Sequence, residues 1–428
     1  MTSSKQPATR TAAPRRITRR GFVKTTAAAA ATFTIVPPHV LGAPNHVAPS
    51  DTFGGALIGV GGRGPGTFST MAGMFGKGPD GTPNVRKVAE CDVKWLGQAD
   101  NKTRYSDFRR LLERKDIDLI AIGTPPHWHA LITIAAMEAG KDVLCEKPMT
   151  RTIAEGRAVV NAATRYNRVF QVGTFGRFGA SGSRGNIDTH KIMRSGLLNP
   201  NPAVYVKKGG FKVKEWSGRP KLQPKDPPSN LDWDLYCGPS QYKPYQNERH
   251  GGTHRDYWDY ESGGMCDMGQ HYMDPVNWTF GKDDTSPVEI TASGAPQHPE
   301  CTGMWAWVEM KFADGFTLVF DSGEWGEPYD RTQPHGVSMN DLTPEQQEKV
   351  KAMPDPPKML NFAEAVKSRG LAGGHAEAAH RTVCLLHLAN IAIRMGRKIQ
   401  YDPVREQIVG DETANRMVHQ PLRAPWHV

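Results

Sequence analysis

Cysteine is sparse in this sequence and never paired. Six thiols are spread over 428 residues, at 91, 145, 237, 266, 301 and 384, and no two stand at a CxxC spacing. That pattern excludes a zinc ribbon or finger and gives no disulfide framework. Cys91 and Cys145 fall inside apolar runs, where a free thiol behaves as a small buried hydrophobe. Long apolar segments are lacking as well. The Ala/Thr-rich stretch TTAAAAATFTIV (25–36) is too short to cross a bilayer as a permanent helix. Acidic residues are missing from the first 50 positions, which carry Lys5, Arg10, Arg15, Arg16, Arg19, Arg20 and Lys24. Without those seven, 46 basic side chains face 44 acidic ones, so the formal charge of +9 belongs mostly to the leader. A near-neutral body gives no ground for a nucleic-acid partner.

What the leader does have is a pattern. Thr18-Arg19-Arg20-Gly21-Phe22-Val23-Lys24, the weakly apolar stretch and then Pro37-Pro38 resemble a bacterial twin-arginine export signal. The resemblance implies an exported, periplasmic protein, with the twin-arginine export machinery as a partner and cleavage near residues 40–45. An uncleaved anchor stays open. Length predicts two or three domains and a sizeable core. Residues 1–45 are read as signal and linker, 51–174 as a nucleotide-binding domain, and 175–428 as a second α/β domain.

The nucleotide-binding reading starts at GALIGVGGRG (55–64), an apolar run entering Gly59-Val60-Gly61-Gly62-Arg63-Gly64. In a strand–turn–helix, the glycines of GxGxxG serve a tight turn, close backbone approach to a pyrophosphate, and close helix–strand packing. The helix N-terminus beyond favours negative phosphates. VRKVAECD (85–92) reads as a second strand ending in Asp92, where a ribose diol would be gripped. The glycine-rich MAGMFGKGPDGTPN between them reads as a loop insertion that lengthens the usual spacing. Further strands are expected at 117–122, entering Thr124-Pro125-Pro126, at 141–145, ending in Glu146-Lys147-Pro148, and at 169–174. Helices are expected at 130–139 and 153–166. Strands alternating with helices predict a doubly wound parallel sheet, with ligands at the carboxyl ends of its strands. Gly59–Gly64, Asp92, Thr124, Pro125, Glu146 and Lys147 all fall there. Asp92 favours NAD; Arg63 and Lys94 leave NADP open.

Later in the chain, strands are expected at 288–293 and on either side of Ala313-Asp314-Gly315, a hairpin signal. Helices are expected at 360–368 and 375–395. The stretches 221–230 and 327–358 read as long surface loops.

Seven segments together resemble the Gfo/Idh/MocA family of oxidoreductases: GVGGRG (59–64), Asp92, TPPHWHA (124–130), CEKPMT (145–150), QVGTFGRF (171–178), LDWDLYCGPS (231–240) and GGMCDMGQHYMD (263–274). The resemblance implies an N-terminal Rossmann domain, then an α/β domain with a large open, mostly antiparallel sheet that carries the substrate site and a homo-oligomer interface. It implies catalysis by Lys147, Asp267 and His271 at a nicotinamide. The substrate would be a sugar, cyclitol or glycoside, and the cofactor a tightly bound, recycled dinucleotide. Relatives that cleave glycosides by transient oxidation, elimination and re-reduction give a second implied activity.

The DMGQHYMD motif itself allows three arrangements, because Asp267, His271 and Asp274 share one helix face. A metal could sit there, but no fourth ligand stands nearby and Lys147 would repel a cation. Asp267 could cap a helix, with His271 in a core network. Or His271 is an acid/base, with Lys147 polarising the reacting oxygen and Asp267 positioning the substrate. Pro275 predicts either a kink or a helix that places His271 in its first turn. His129 is expected at the nicotinamide, and Arg177, Tyr260 and Trp258 at the sugar; no metal is expected.

Overall fold

The computed structural model describes residues 52–98, 100–198, 202–212, 223–329 and 337–428. The expected export signal lies outside these residues. Two six-stranded sheets organise the chain. The first is wholly parallel: β1 (Phe53–Ile58), β2 (Val85–Cys91), β3 (Arg104–Tyr105), β4 (Leu119–Ile122), β5 (Asp142–Cys145) and β6 (Phe170–Val172) stand in the order β3-β2-β1-β4-β5-β6. That order reverses between β1 and β4, which opens a crevice beyond their carboxyl ends. Its central strands are buried on both faces, as their unbroken apolar runs require. Helices α1 (Gly64–Met74), α2 (His129–Glu138) and α3 (Ile153–Tyr166) make the crossovers. Helix α3 opens with a capping box between Thr152 and Glu155.

The second sheet comprises β7 (Ala203–Lys207), β8 (Glu289–Gly294), β9 (Trp305–Lys311), β10 (Thr317–Asp321), β11 (Ile399–Asp402) and β12 (Gln407–Val409), ordered β12-β11-β8-β9-β10-β7. It is antiparallel apart from the β7–β10 pair. Helix α4 (Gly263–Thr279) carries DMGQHYMD, and α5 (Ala376–Met395) lies beside it with most of its residues buried. Helix α5 contacts α3, α4, β6 and β8.

Two expectations need correction. The segment MAGM (71–74) continues α1 rather than opening the loop, because Met71 packs in the core. Residues 344–352, read as loop, form a helix capped by Thr343 with Pro344 in its first turn and Gln346 completing a capping box. Contacts of the C-terminal chain also run back across the 174/175 division. Phe362, Ala363 and Val366 pack with Leu57, Met71 and Leu119 of the first sheet's layer, and Val172 N–H donates to Gly374 O.

Helix α4 runs on through Pro275, so His271 sits mid-helix and not in the first turn. Asp274 faces away from any solvent. Its carboxylate accepts from Arg177 Nε (2.9 Å) and Nη2 (2.7 Å) and from Thr174 Oγ1 (2.7 Å). Asp283 holds the other side of the same guanidinium at 3.0 Å. Removing one partner of such a buried pair strands the other charge. Asp274→Ala should therefore cost about 3–5 kcal/mol of stability, read as a lowered midpoint in chemical denaturation.

Candidate active site

A cleft of about 660 Å³ opens at the switch point of the first sheet, lined by both halves of the chain. Gly59, Gly61, Gly62, Arg63, Asp92, Thr124, Pro125, Glu146 and Lys147 line it from the first half, and His250, His254, Arg255, Glu261, Asp267 and His271 from the second.

The glycine loop has the shape that a dinucleotide needs. Gly59 has φ +87°, and a Cβ there would stand 2.6 Å from Thr124 N. A Cβ at Gly64 would overlap the carbonyl oxygen of Gly59, so the third glycine sets the close approach of α1 to β1. Gly61 and Gly62 have nothing within 4 Å of where a Cβ would be. That gap is where a pyrophosphate would approach the backbone. Asp92 fixes the loop from the side: its Oδ2 accepts from Val60 N–H (2.8 Å) and its Oδ1 from Lys94 N–H (3.0 Å). Thr124 Oγ1, on the cleft wall, is buried without a hydrogen-bond partner among the described residues. A ligand group there would satisfy it. These features fit a dinucleotide. Arg63, meanwhile, is engaged by Glu146 (3.1 Å), which also accepts from Thr67 Oγ1 (2.6 Å).

Lys147, also on the cleft wall, stands two residues past the end of β5. Its Nζ donates to Asp267 Oδ1 (2.5 Å) and to the Asp267 carbonyl (2.8 Å). Arg255 Nε reaches the same Oδ1 at 3.0 Å. Burial pushes the Asp267 pKa upward, but the charges of Lys147 and Arg255 outweigh it and hold the group below the usual carboxylate range. His271 lies one turn on, half-buried, and its imidazole makes no hydrogen bond to another described residue. Burial and then the Lys147 charge press its pKa below the ordinary histidine value, against the opposing pull of Glu146 and Asp267. A neutral, unpartnered imidazole beside a lysine is chemically equipped to take a proton. Gln270, between the two motif residues, accepts from Met149 N–H (2.8 Å) and donates to Ala379 O (3.2 Å), pinning α4 to the loop after Lys147.

Four sequence expectations are corrected here. Arg177 does not reach the cleft; it is spent on Asp274 and Asp283. Tyr260 is fully buried among Tyr236, His127 and Cys237. Trp258 donates to His298 O (2.9 Å) beneath the Arg394 guanidinium and is likewise not on the cleft wall. His129 is buried behind the wall, with one ring nitrogen on Pro148 O (2.7 Å) and the other on Thr124 O (2.8 Å). It ties together two loops that do line the cleft, while its neighbour Trp128 forms part of the wall. Sequence reasoning missed Arg255, Glu261 and Gln270. Their only signal is the polar density of 245–274.

Among the described residues, no group of three His, Cys, Asp or Glu is arranged to hold a metal ion.

The sequence matches two family models: the oxidoreductase family's NAD-binding Rossmann fold over residues 82–174, and its C-terminal alpha/beta domain over residues 185–428. The chain belongs to the Gfo/Idh/MocA family. Among curated proteins, levoglucosan dehydrogenase of Pseudarthrobacter phenanthrenivorans is 41% identical over 93 residues, covering 21% of this chain and 24% of the relative. A glycosyl hydrolase family 109 protein of Solibacter usitatus is 31% identical over 137 residues, covering 28% of this chain and 30% of the relative. Inositol 2-dehydrogenase of Salmonella typhimurium is 28% identical over 152 residues, covering 31% of this chain and 43% of the relative. The matched segments thus span less than half the length of each of these Gfo/Idh/MocA relatives.

The open space at the glycine loop gives a direct test of cofactor placement. Gly61→Val should leave the denaturation midpoint within about 1 kcal/mol of wild type, since nothing stands where its side chain would go. It should nevertheless abolish dinucleotide binding, measured by nucleotide released from purified protein and by fluorescence titration.

Proposed function

We propose that this protein is an exported oxidoreductase acting on a secondary alcohol of a sugar, cyclitol or glycoside, with NAD held in the cleft. The observation that carries this reading is the Lys147–Asp267 ion pair beside the unpartnered His271, in a cleft that the glycine loop also lines. Asp92 favours NAD over NADP, because its carboxylate would stand against a 2′-phosphate and Arg63 is drawn to Glu146 instead. NAD, when bound, supplies the hydride acceptor that alcohol oxidation requires.

The chain's own residues handle the proton and the charge. His271 takes the hydroxyl proton at the ring nitrogen that faces the cleft. Lys147 spends two of its three N–H donors on Asp267 and turns the third to the substrate oxygen, stabilising it as its proton leaves. Asp267 keeps Lys147 in place; with Oδ1 shared between Lys147 and Arg255, it acts on the lysine before it acts on the sugar. Export by the twin-arginine route and assembly as a homo-oligomer complete the reading. A tightly held cofactor suits a compartment where free NAD is scarce.

A second activity is supported by the likeness to glycosyl hydrolase family 109 proteins. Oxidation beside a carbon acidifies its hydrogen, so the same lysine and histidine could serve a transient oxidation that ends in glycoside cleavage. The two part company in one assay. Net growth of reduced-nicotinamide absorbance with a sugar panel marks a dehydrogenase; release of nitrophenol from nitrophenyl glycosides without that growth marks the glycosidase.

His271→Ala should lower turnover by roughly 10²–10⁴-fold while leaving the dinucleotide bound. Full activity in that variant would overturn the assignment. Because the neutral imidazole is the working form, the oxidation rate should persist as pH falls below ~6.5 and drop only through a lower value. Lys147→Met removes a charge that depresses His271, so the His271 titration followed by NMR should move upward.

A further inference from the structure

Glu261 is a buried carboxylate on the cleft with one oxygen left over among the described residues. It sits just before α4, buried, and lines the same cleft as Lys147 and His271. Its Oε2 lies 3.2 Å from His254 Nε2 and 3.9 Å from Arg255 Nε. Its Oε1 has no hydrogen-bond partner among the described residues. A buried carboxylate oxygen without a donor is costly and rare, and a ligand O–H is the simplest group to relieve it.

Its place relative to the chemistry is fixed by a short chain of contacts. Glu261 adjoins Arg255, Arg255 holds Asp267 at 3.0 Å, and Asp267 holds Lys147 at 2.5 Å. The Glu261 carboxylate is therefore linked through Arg255 and Asp267 to the amine that would meet the reacting hydroxyl. The formal charges here also balance: Lys147 and Arg255 against Asp267 and Glu261. Both cations are already drawn to Asp267. A ligand bringing its own carboxylate would add a negative charge beside Glu261 in a partly desolvated site, where like charges repel strongly.

We propose that Glu261 accepts a hydroxyl of the substrate next to the reacting carbon, and that the cleft thereby selects uncharged polyols over sugars bearing a carboxylate. This rests on the oxidoreductase reading for its reaction, but the contact itself does not need turnover to be seen. A charge-assisted hydrogen bond of this kind corresponds to roughly 10- to 100-fold in affinity.

The test uses NADH-loaded, full-length protein and two matched pairs, D-glucose with D-glucuronate and D-galactose with D-galacturonate. Binding is followed by thermal shift and calorimetry on the wild type and on Glu261→Gln. The expected result is tighter binding of the neutral sugar in at least one pair by the wild type. Glu261→Gln should then lose roughly 10-fold or more of that preference, because an amide can donate to a carboxylate. Equal or tighter binding of the uronate by the wild type overturns the proposal, whether or not the variant folds. So does an unchanged preference in Glu261→Gln. If the neutral sugar binds with the expected preference but is never oxidised, the reaction assigned to the cleft fails and the Glu261 contact stands.

Discussion

The ion pair between Lys147 and Asp267 joins the two halves of the molecule at the point where chemistry is expected. Lys147 leaves the end of a parallel strand; Asp267 lies 120 residues later, in the second turn of α4. A buried pair of this kind returns little net stability, since desolvation offsets its Coulomb attraction. What it supplies is position, and it does not supply that alone. Asp267, Gln270 and Asp274 lie on one side of α4, and each meets the first half of the chain: Lys147, Met149 N–H, and Thr174 with Arg177. On the helix's other contacts, Gly264 and Gly269 leave no room for a side chain beside Lys212 O and Leu386. His271 is aimed by that set of ties, although its own ring is held by no hydrogen bond.

The electrostatics follow from the same arrangement. Burial, and then the neighbouring Lys147, keep the imidazole neutral, as a proton acceptor must be, and the lysine keeps a cation beside the oxygen that would gain charge. Asp267 offsets part of the lysine's charge without removing it. Two groups with opposed demands are served by one offset of four residues.

Much of the first half was legible because its signals are local. A glycine with positive φ, an acid ending a strand and a lysine before a proline each state their conformation within a few residues. The helix 153–166 announces its start in Thr152 and Glu155, and the structure ends it at Tyr166 as expected. The errors share a different cause. Arg177 resembles a sugar ligand until α4 packs against its helix and Asp274 meets it. His129 and Trp128 are neighbours at a strand-to-helix turn, where one residue's rotation decides which of them lines the cleft. Glu261 and Arg255 belong to a loop that folds back over the cleft, and no periodicity says where such a loop returns. Distant packing decides these cases, and a single sequence carries no trace of it.

The return of the C-terminal chain to the first sheet bears on how the cleft works. Phe362, Ala363 and Val366 complete the hydrophobic layer over β1 and β4, and α5 packs along both α3 and α4. Arg157 of α3 pairs with Glu377 at 2.7 Å and with Glu406 at 2.7 Å, while Trp426 near the C-terminus sits edge-on to Trp128 at 4.8 Å. Domains joined by a thin linker swing as rigid bodies, but domains sharing a broad apolar interface do not do so by default. The two walls of this cleft are cross-linked on that scale. Its geometry is therefore largely preformed, and the pairing of Lys147 with Asp267 needs no large closure to assemble it.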